Sequence, residues 1–355
     1  MRTEEATLRI IETARGKRAK FRDERVNMAH GAGGKATQSM IEGLFAPAFA
    51  SDTLESLGDA AVLAEIGVAV TTDSFVVKPI RFPGGSIGDL AVNGTVNDLA
   101  VSGARPRALT LSLVLEEGLP ADELRAEVEA IADAARRAEV EVVAGDTKVV
   151  ERGHADSMYI CTTGIGMLDP RAALSPSGIQ PGDRILVSGK VGNHGMAIML
   201  SRGEFELGAD IRSDTRSLWP AADALLDAAG DSLHCMRDAT RGGVASVLNE
   251  LARSSGVAVL LREAAVPVEP AVAGAAEILG IDPLYVANEG VLVAFVAVET
   301  ADAALDALRS VPGCEEAAEV GEVKTEPPGM VLVETGFGGR RVMDMLVGDP
   351  LPRIC

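Results

Sequence analysis

Aromatic residues make up only 3% of this 355-residue chain, although 47% of it is hydrophobic. A core with so few large rings has to be assembled from Ala, Val, Leu and Ile, which suits helices packed on sheets. Cysteine is sparse too: Cys161, Cys235, Cys314 and Cys355 are scattered, with no CxxC pair, which excludes a disulfide-dense scaffold. Cys161 lies in the strand-like MYICTTGIGML and reads as a buried, inert thiol. The four histidines, His30, His154, His194 and His234, form no HxxxH pair and give no support for zinc. Basic excess is missing as well. With a net charge of −19 the surface repels nucleic acid and acidic membranes, so neither is expected as a partner. A phosphate ligand would then need glycine-rich amides, a few placed cations or a metal bridge. No stretch reaches the roughly 18 apolar residues of a membrane span, and the mixed-charge MRTEEATLRIIETARGKRAK is not a secretory signal. A cytoplasmic protein is expected.

The length favours two domains. In the first half, strands are expected in AAVLAEI, VAVTTD, ALTLSLVLEE, EVVAGD and SMYICTTGIGML. Helices are expected in IGDLAVNGTVNDLAVSGA and ADELRAEVEAIADAARRAEV. DPRAALSPSGIQPGDR, rich in Pro, Gly and Ser, reads as the linker. Beyond it RILVSG, VAVLLRE, VLVAFVAV and MVLVET read as strands. KVGNHGMAIML, SLWPAADALLDAAG, VASVLNELARSS, EPAVAGAAEILG and ADAALDALRS supply helices. The expected class is α/β (α+β), in two mixed domains. The expected boundaries are a polar extension at 1–25, a first domain at 26–170, a second at 171–345 and a tail at 346–355.

Candidate chemistry gathers at the ends of these elements. HGAGGKATQSM packs three glycines into four residues ahead of a lysine and a helix-like run. Such amides can approach a phosphate closely, although a flexible turn fits equally well and the Walker pattern does not. Asp59, Asp73, Asp98 and Asp146 all fall at predicted element ends. Singly each reads as a turn former or cap; together, beside a glycine loop, they suit a hard cation that bridges to phosphates. Asn93 and Asn97 share one face of an otherwise apolar helix and need hydrogen-bonding partners there. RDATRGG places Asp238, Thr240, Gly242 and Gly243 at a helix start, as a cap or as another anion-facing turn. Glu289 precedes a buried-looking strand, where a carboxylate can acquire a raised pKa, though an exposed turn glutamate fits the spacing.

HGAGGK, GDAAVL, TTDSFVVKP, FPGGSIGDLAVNGTVNDLAVSGARP, AGDTKVVERG, SGKVGNHGMAIM, RDATRGGVASVLNE, ANEG and the terminal PRIC together resemble the HypE family of hydrogenase maturation proteins. The resemblance runs from about residue 26 to the last residue. The family sits in the superfamily of aminoimidazole ribonucleotide synthetase, selenophosphate synthetase and thiamine-monophosphate kinase. It implies a homodimer formed through the sheet of the first domain, with ATP and Mg2+ as cofactors. It also implies a substrate within the chain, the thiol of Cys355, carbamoylated by the carbamoyltransferase HypF. ATP-driven dehydration of the S-carboxamide to S-cyanate would follow, and cyanide would pass to iron on the HypC–HypD complex. By the same resemblance Asp59, Asp73, Asp98 and Asp146 are metal ligands, and Gly31, Gly33, Gly34 and Lys35 form a mobile phosphate-covering loop. Asn93, Asn97 and Thr147 are placed at the nucleotide. Lys148 is expected as the cation over the transferring group and Glu289 as the general base.

Two other readings compete. A small-molecule kinase or synthetase of the same superfamily has no use for a terminal thiol, and a selenophosphate-type enzyme wants a reactive residue where Ala32 stands. A non-enzymatic scaffold leaves the aspartates without a purpose. In DPLPRIC, Pro350 and Pro352 keep a tail of about ten residues extended, with a reach of about 33 Å. Arg353 is positioned to dock it, and a thiol with no backbone behind it is expected to enter a narrow site.

Overall fold

The computed structural model describes residues 21–49, 51, 53–54, 58–203, 210–348 and 353–355. Most of the expected extension, and the tail prolines Pro350 and Pro352, lie outside the described residues.

In the first half, α1 (Lys35–Met40) and α2 (Ala46–Phe49) follow the glycine loop. A five-stranded sheet comes next, from β1 (Ala61–Leu63) and β2 (Val68–Phe75), then β5 (Ala104–Glu116), β6 (Glu141–Val150) and β7 (Met158–Leu168), in the order β1-β2-β7-β5-β6. A two-stranded hairpin of β3 (Arg81–Phe82) and β4 (Gly85–Ser86) leads into α3 (Ile87–Val101), and α4 (Ala121–Arg137) joins β5 to β6. β5 and β6 run parallel, as a helical crossover allows. β7 alternates by the period of a strand: Met158, Ile160 and Thr162 point inward and are buried. α4 is amphipathic and buries Ile131, Ala134 and Ala135, whereas α3 is buried nearly all round. The other side of the sheet is uncovered, with Ile165 and Met167 of β7 exposed on it, and the edge strands leave Val62 of β1 and Val142, Val143 and Val149 of β6 exposed as well. β6 is open along almost its whole length. Cys161, expected to be buried, is only half-buried, because it sits on the outward register of β7.

The second half holds β8 (Arg184–Val187), α5 (Asn193–Ser201), α6 (Trp219–Ala229), β9 (Leu233–Asp238), α7 (Gly243–Ser255), β10 (Ala258–Arg262) and α8 (Pro270–Leu279). It continues through β11 (Leu292–Val296), α9 (Ala301–Ser310), β12 (Ala318–Lys324), β13 (Met330–Glu334) and β14 (Arg340–Met343). The seven strands lie in the order β14-β13-β10-β12-β8-β11-β9. Helices cover both faces, so β11 is apolar throughout: Val293 and Phe295 pack with α7, Leu292, Ala294 and Val296 with α6 and α9. The halves share core. Ala100 and Val101 of α3 pack with α6, while Met196–Ile198 of α5 and Val272 of α8 join the cluster of the first half.

The turn into α7 shows why its glycines are there. Gly243 has φ +61, and a Cβ on it would meet the carbonyl oxygens of Leu284 and Val286 at 2.5 and 2.6 Å. Gly243→Ala combines left-handed strain with a backbone clash. It is expected to cost about 2–4 kcal/mol, read as a lowered Tm by circular dichroism.

Candidate active site

Elements of both halves converge at their junction. Asp59 precedes β1, Asp73 lies in β2, Asp98 in the last turn of α3, and Asp238 ends β9. Carboxylate oxygens of Asp59, Asp98 and Asp238 all lie within 4.8 Å of one another. The Thr71 hydroxyl sits 2.7 Å from Asp98 Oδ2 and 2.9 Å from the Asp59 carbonyl, and its one proton serves either. Arg237 ion-pairs with Asp59. Burial pushes the Asp98 and Asp238 carboxyls well above the usual range, and their neighbouring carboxylates push them further. Asp59 and Asp73 are raised too, by burial first, with Arg237 and Arg241 respectively opposing it. Asp238 Oδ2 is buried with no hydrogen-bond partner. An orphaned carboxylate oxygen facing two other carboxylates is what a hard divalent cation satisfies.

Glu289 adjoins this cluster at the end of the loop before β11 and is 3% exposed. Its N–H approaches both oxygens of the buried Asp214 carboxylate at 3.2 Å, and its carbonyl accepts from Asn97 at 3.1 Å. A Cβ on Gly94 would lie 3.8 Å from Glu289 Oε2 and 2.8 Å from Phe75 Cζ, so the carboxylate lies beside a groove that the missing side chain leaves on α3. Burial drives its pKa well above the ordinary value, with Asp238, Asp214 and Asp73 adding to the shift and Arg241 opposing it.

The tail occupies the same place. Cys355 helps line a cavity of about 300 Å³ together with Gly31, Ala32, Ser74, Arg241 and Gly242. Burial lifts its thiol to about 12; Arg241 favours the thiolate, and Glu289, Asp73 and Asp238 oppose it. Ile354 is 5% exposed in the core of the first half, a burial that contributes roughly 1.5–3 kcal/mol to docking.

The glycine loop lies over the turn 241–242. Arg241 Nη1 donates to the Gly31 carbonyl at 2.7 Å, and a Cβ on Gly33, whose φ is +72, would come 2.8 Å from the Arg241 carbonyl oxygen. Gly34 abuts the Leu346 carbonyl, while Lys35 is spent on a half-exposed ion pair with Asp344 at 2.7 Å.

Several expected residues are elsewhere. Both amide protons of Asn97 are committed, to the carbonyls of Arg216 and Glu289, and its Oδ1 accepts from Leu218 N–H at 2.7 Å. Asn93 donates to Thr215 at 3.1 Å. Both asparagines tie α3 to the second half at the domain junction. Asp146, Thr147 and Lys148 lie on exposed β6, where Asp146 and Lys148 pair at 2.5 Å. Three strand spacings separate β6 from β2, which puts them about 14 Å across the sheet from Asp73. They do not join the acidic cluster of their own chain. Asp238 and Arg241, by contrast, belong to the site; RDATRGG was legible as a cap or as an anion-facing turn around Asp238, and Arg241 within it was not singled out.

The sequence matches the AIR synthase related protein family, its N-terminal domain over residues 57–168 and its C-terminal domain over 180–333. It is 48% identical to carbamoyl dehydratase HypE of Azotobacter vinelandii, across 95% of this chain and 99% of that protein. The chain belongs to the HypE family of carbamoyl dehydratases in hydrogenase maturation. Two solved HypE structures share its fold. One is a HypE–HypF complex, 42% identical with a TM-score of 0.83, over 86% of this chain and 99% of that one. The other is HypE in complex with ATP, 45% identical with a TM-score of 0.79, over 93% and 100%. The carbamoyl dehydratase assignment and the two-domain α/β expectation both stand. No described helix is long and apolar enough to cross a membrane.

Proposed function

We propose that this chain dehydrates the S-carboxamide on its own Cys355 to S-cyanate, with ATP as the activating co-substrate. The observation that carries the reading is the seat of Cys355, in the cavity beneath the glycine loop and beside Arg241, Glu289 and the acidic cluster. The carboxamide oxygen attacks the γ-phosphorus of ATP, forming the C–O–P linkage and releasing ADP. Two N–H protons then leave the nitrogen, and C–O cleavage expels phosphate, so that R–S–CO–NH2 becomes R–S–C≡N. Glu289, buried beside Cys355, takes one N–H proton, and the other leaves with the departing phosphate. Arg241 offsets negative charge as oxygen and phosphate develop it. Asp59, Asp98 and Asp238, with Asp73 beside them, would hold Mg2+, which when bound neutralises phosphate charge. Gly31, Gly33 and Gly34 cover the phosphates, and the ATP complex of a 45% identical relative supports nucleotide binding here.

A thiol held near pKa 12 is protonated at neutral pH and a poor nucleophile. Carbamoylation is therefore assigned to an undocked tail, with HypF as donor, a partner that the HypE–HypF complex of a relative supports. The uncovered outer face of the sheet, with Ile165 and Met167 exposed on it, and the open β6 edge support a homodimer formed through the first domain. In that dimer Asp146, Thr147 and Lys148 act at the site of the second copy, Lys148 as a further cation. Cyanide then passes to iron on HypC–HypD. The domain boundaries proposed are those expected above, with the tail from 346 carrying the cargo.

Intact mass spectrometry tests this. Incubation with HypF, carbamoyl phosphate and ATP should add one carbamoyl group, and further ATP should remove one water. Both changes should vanish in Cys355→Ala. ATP turnover without any mass change on the protein would favour a small-molecule kinase of the same fold instead.

A further inference from the structure

The last three residues are held by their main chain. Val76 N–H donates to the Cys355 main-chain oxygen at 3.0 Å and Lys78 N–H to the Arg353 carbonyl at 3.2 Å, an antiparallel extension beyond β2. The Arg353 carbonyl also accepts from Arg202 Nη2 at 2.9 Å, while Arg202 Nε donates to the Lys78 carbonyl at 3.0 Å. The remaining carbonyl, that of Ile354, is 2.6 Å from His194 Nε2.

His194 is built for that one contact. It stands in the first turn of α5, fully buried, with Phe82 edge-on to its ring at 5.6 Å. Burial lowers its pKa to about 4, so the imidazole is neutral and carries a single N–H. A carbonyl only accepts, which places the proton on Nε2. Nδ1 then accepts from the Ser213 hydroxyl at 2.8 Å, and Ser213 Oγ in turn accepts from Thr215 N–H at 3.1 Å. The chain Thr215–Ser213–His194–Ile354 has one consistent direction, and it fixes the tautomer that can grip the tail.

We propose that His194, assisted by Arg202, is a positioning residue that seats the tail in the active site by its backbone, whatever group the Cys355 sulfur carries. The contacts to residues 353–355 engage carbonyls, the Ile354 side chain and the Arg353 guanidinium, which pairs with Asp156, and none of them requires a free thiol. One seat therefore takes the thiol, the S-carboxamide and the S-cyanate alike, and the chemistry at sulfur does not itself release the tail. The catalytic part of this inference rests on the dehydration reading above; the latch does not.

The test compares His194→Leu, which keeps the volume and removes the donor, with His194→Gln, which retains an N–H near the Nε2 position. In the uncarbamoylated full-length protein, iodoacetamide labelling of the peptide carrying Cys355 should be about tenfold faster in His194→Leu, the loss expected for one buried hydrogen bond. His194→Gln should return it toward wild type. Arg202→Gln, at a half-buried position, should act in the same direction more weakly and covers the case of a misfolded His194→Leu. With protein carbamoylated beforehand, ATP-driven loss of water should slow in His194→Leu by a similar factor and recover in His194→Gln. Equal labelling of Cys355 in wild type, His194→Leu and Arg202→Gln would overturn the latch, as would a His194→Gln protein no better than His194→Leu at native circular dichroism. Faster labelling in a protein whose wild type never loses water would keep the latch and reject the dehydration reading.

Discussion

Glu289→Gln should leave carbamoylation of Cys355 intact and slow the ATP-driven loss of water by about two to four orders of magnitude, the usual worth of a positioned base. The substitution keeps the shape and the main-chain contacts to Asp214 and Asn97, so the fold is preserved. What disappears is a carboxylate whose pKa burial and Asp238 have raised. The sign is fixed by that direction. A base works deprotonated, and a raised pKa means the active form accumulates only as pH climbs above the ordinary carboxylate range. The wild-type dehydration rate should rise with pH through that limb, measured by intact mass on protein carbamoylated beforehand, and the limb should be missing in the variant. The same variant tests the sharing of sites. If Lys148 serves the site of the second copy, Lys148→Ala and Glu289→Gln each cripple a different component. Mixed dimers of the two then contain one site with both residues intact and should recover up to half of wild-type activity per mixed dimer. No recovery on mixing would place Lys148 at the site of its own chain, and a fully active Lys148→Ala would place it outside the chemistry.

That Lys148 lies across the sheet from the acidic cluster of its own chain shows where sequence reading stops. Alternation and helical period marked most elements, because apolar positions in β7 and α4 repeat at the spacing that burial demands, while β11 is a continuous apolar run buried on both faces. β12 escaped, since AEVGEVK carries Glu319, Glu322 and Lys324 and owes its strand state to pairing with β8 and β10 on either side. β14, with two arginines, escaped similarly. In the site, Asp59, Asp73 and Asp98 were visible as a set because they stand close together in the sequence, near one glycine loop. Asp238 belongs with them only because α3 packs against β9 across the domain junction, a contact of long sequence separation. Asn93 and Asn97 were legible as buried amides in want of partners, and the partners proved to be main-chain and side-chain groups of 215–218 and Glu289. The seat of the tail was beyond reach from sequence, because part of it is main-chain groups of residues 76 and 78, which any residue type except proline supplies, and the side chains that complete it, His194 and Arg202, come from the other half of the chain.

Asp238→Asn should separate the electrostatic cost of the acidic cluster from its use. Without a cation the carboxyls of Asp98 and Asp238 have folded-state pKa values well above their unfolded ones. A raised carboxyl pKa favours folding at low pH and loses that contribution as pH climbs through the folded value, so the metal-free protein should become less stable from acid toward neutrality. Magnesium reverses this by supplying the missing charge. At a hundredfold excess over its Kd it should stabilise the wild type by about 2.7 kcal/mol, seen as a raised Tm at neutral pH. Asparagine at 238 removes one of the crowded charges, so the metal-free variant should melt at or above the wild-type temperature. The same change deletes the orphaned Oδ2 acceptor, so most of the magnesium increment should vanish and dehydration should fall at least tenfold. Asp122→Asn, on the exposed first turn of α4, should alter neither quantity. A variant that kept the full magnesium increment would show that the cation binds elsewhere. A variant less stable than wild type in the absence of metal would mean that the Asp238 carboxyl is satisfied in the folded state, and that the cluster is a structural junction and not a metal site.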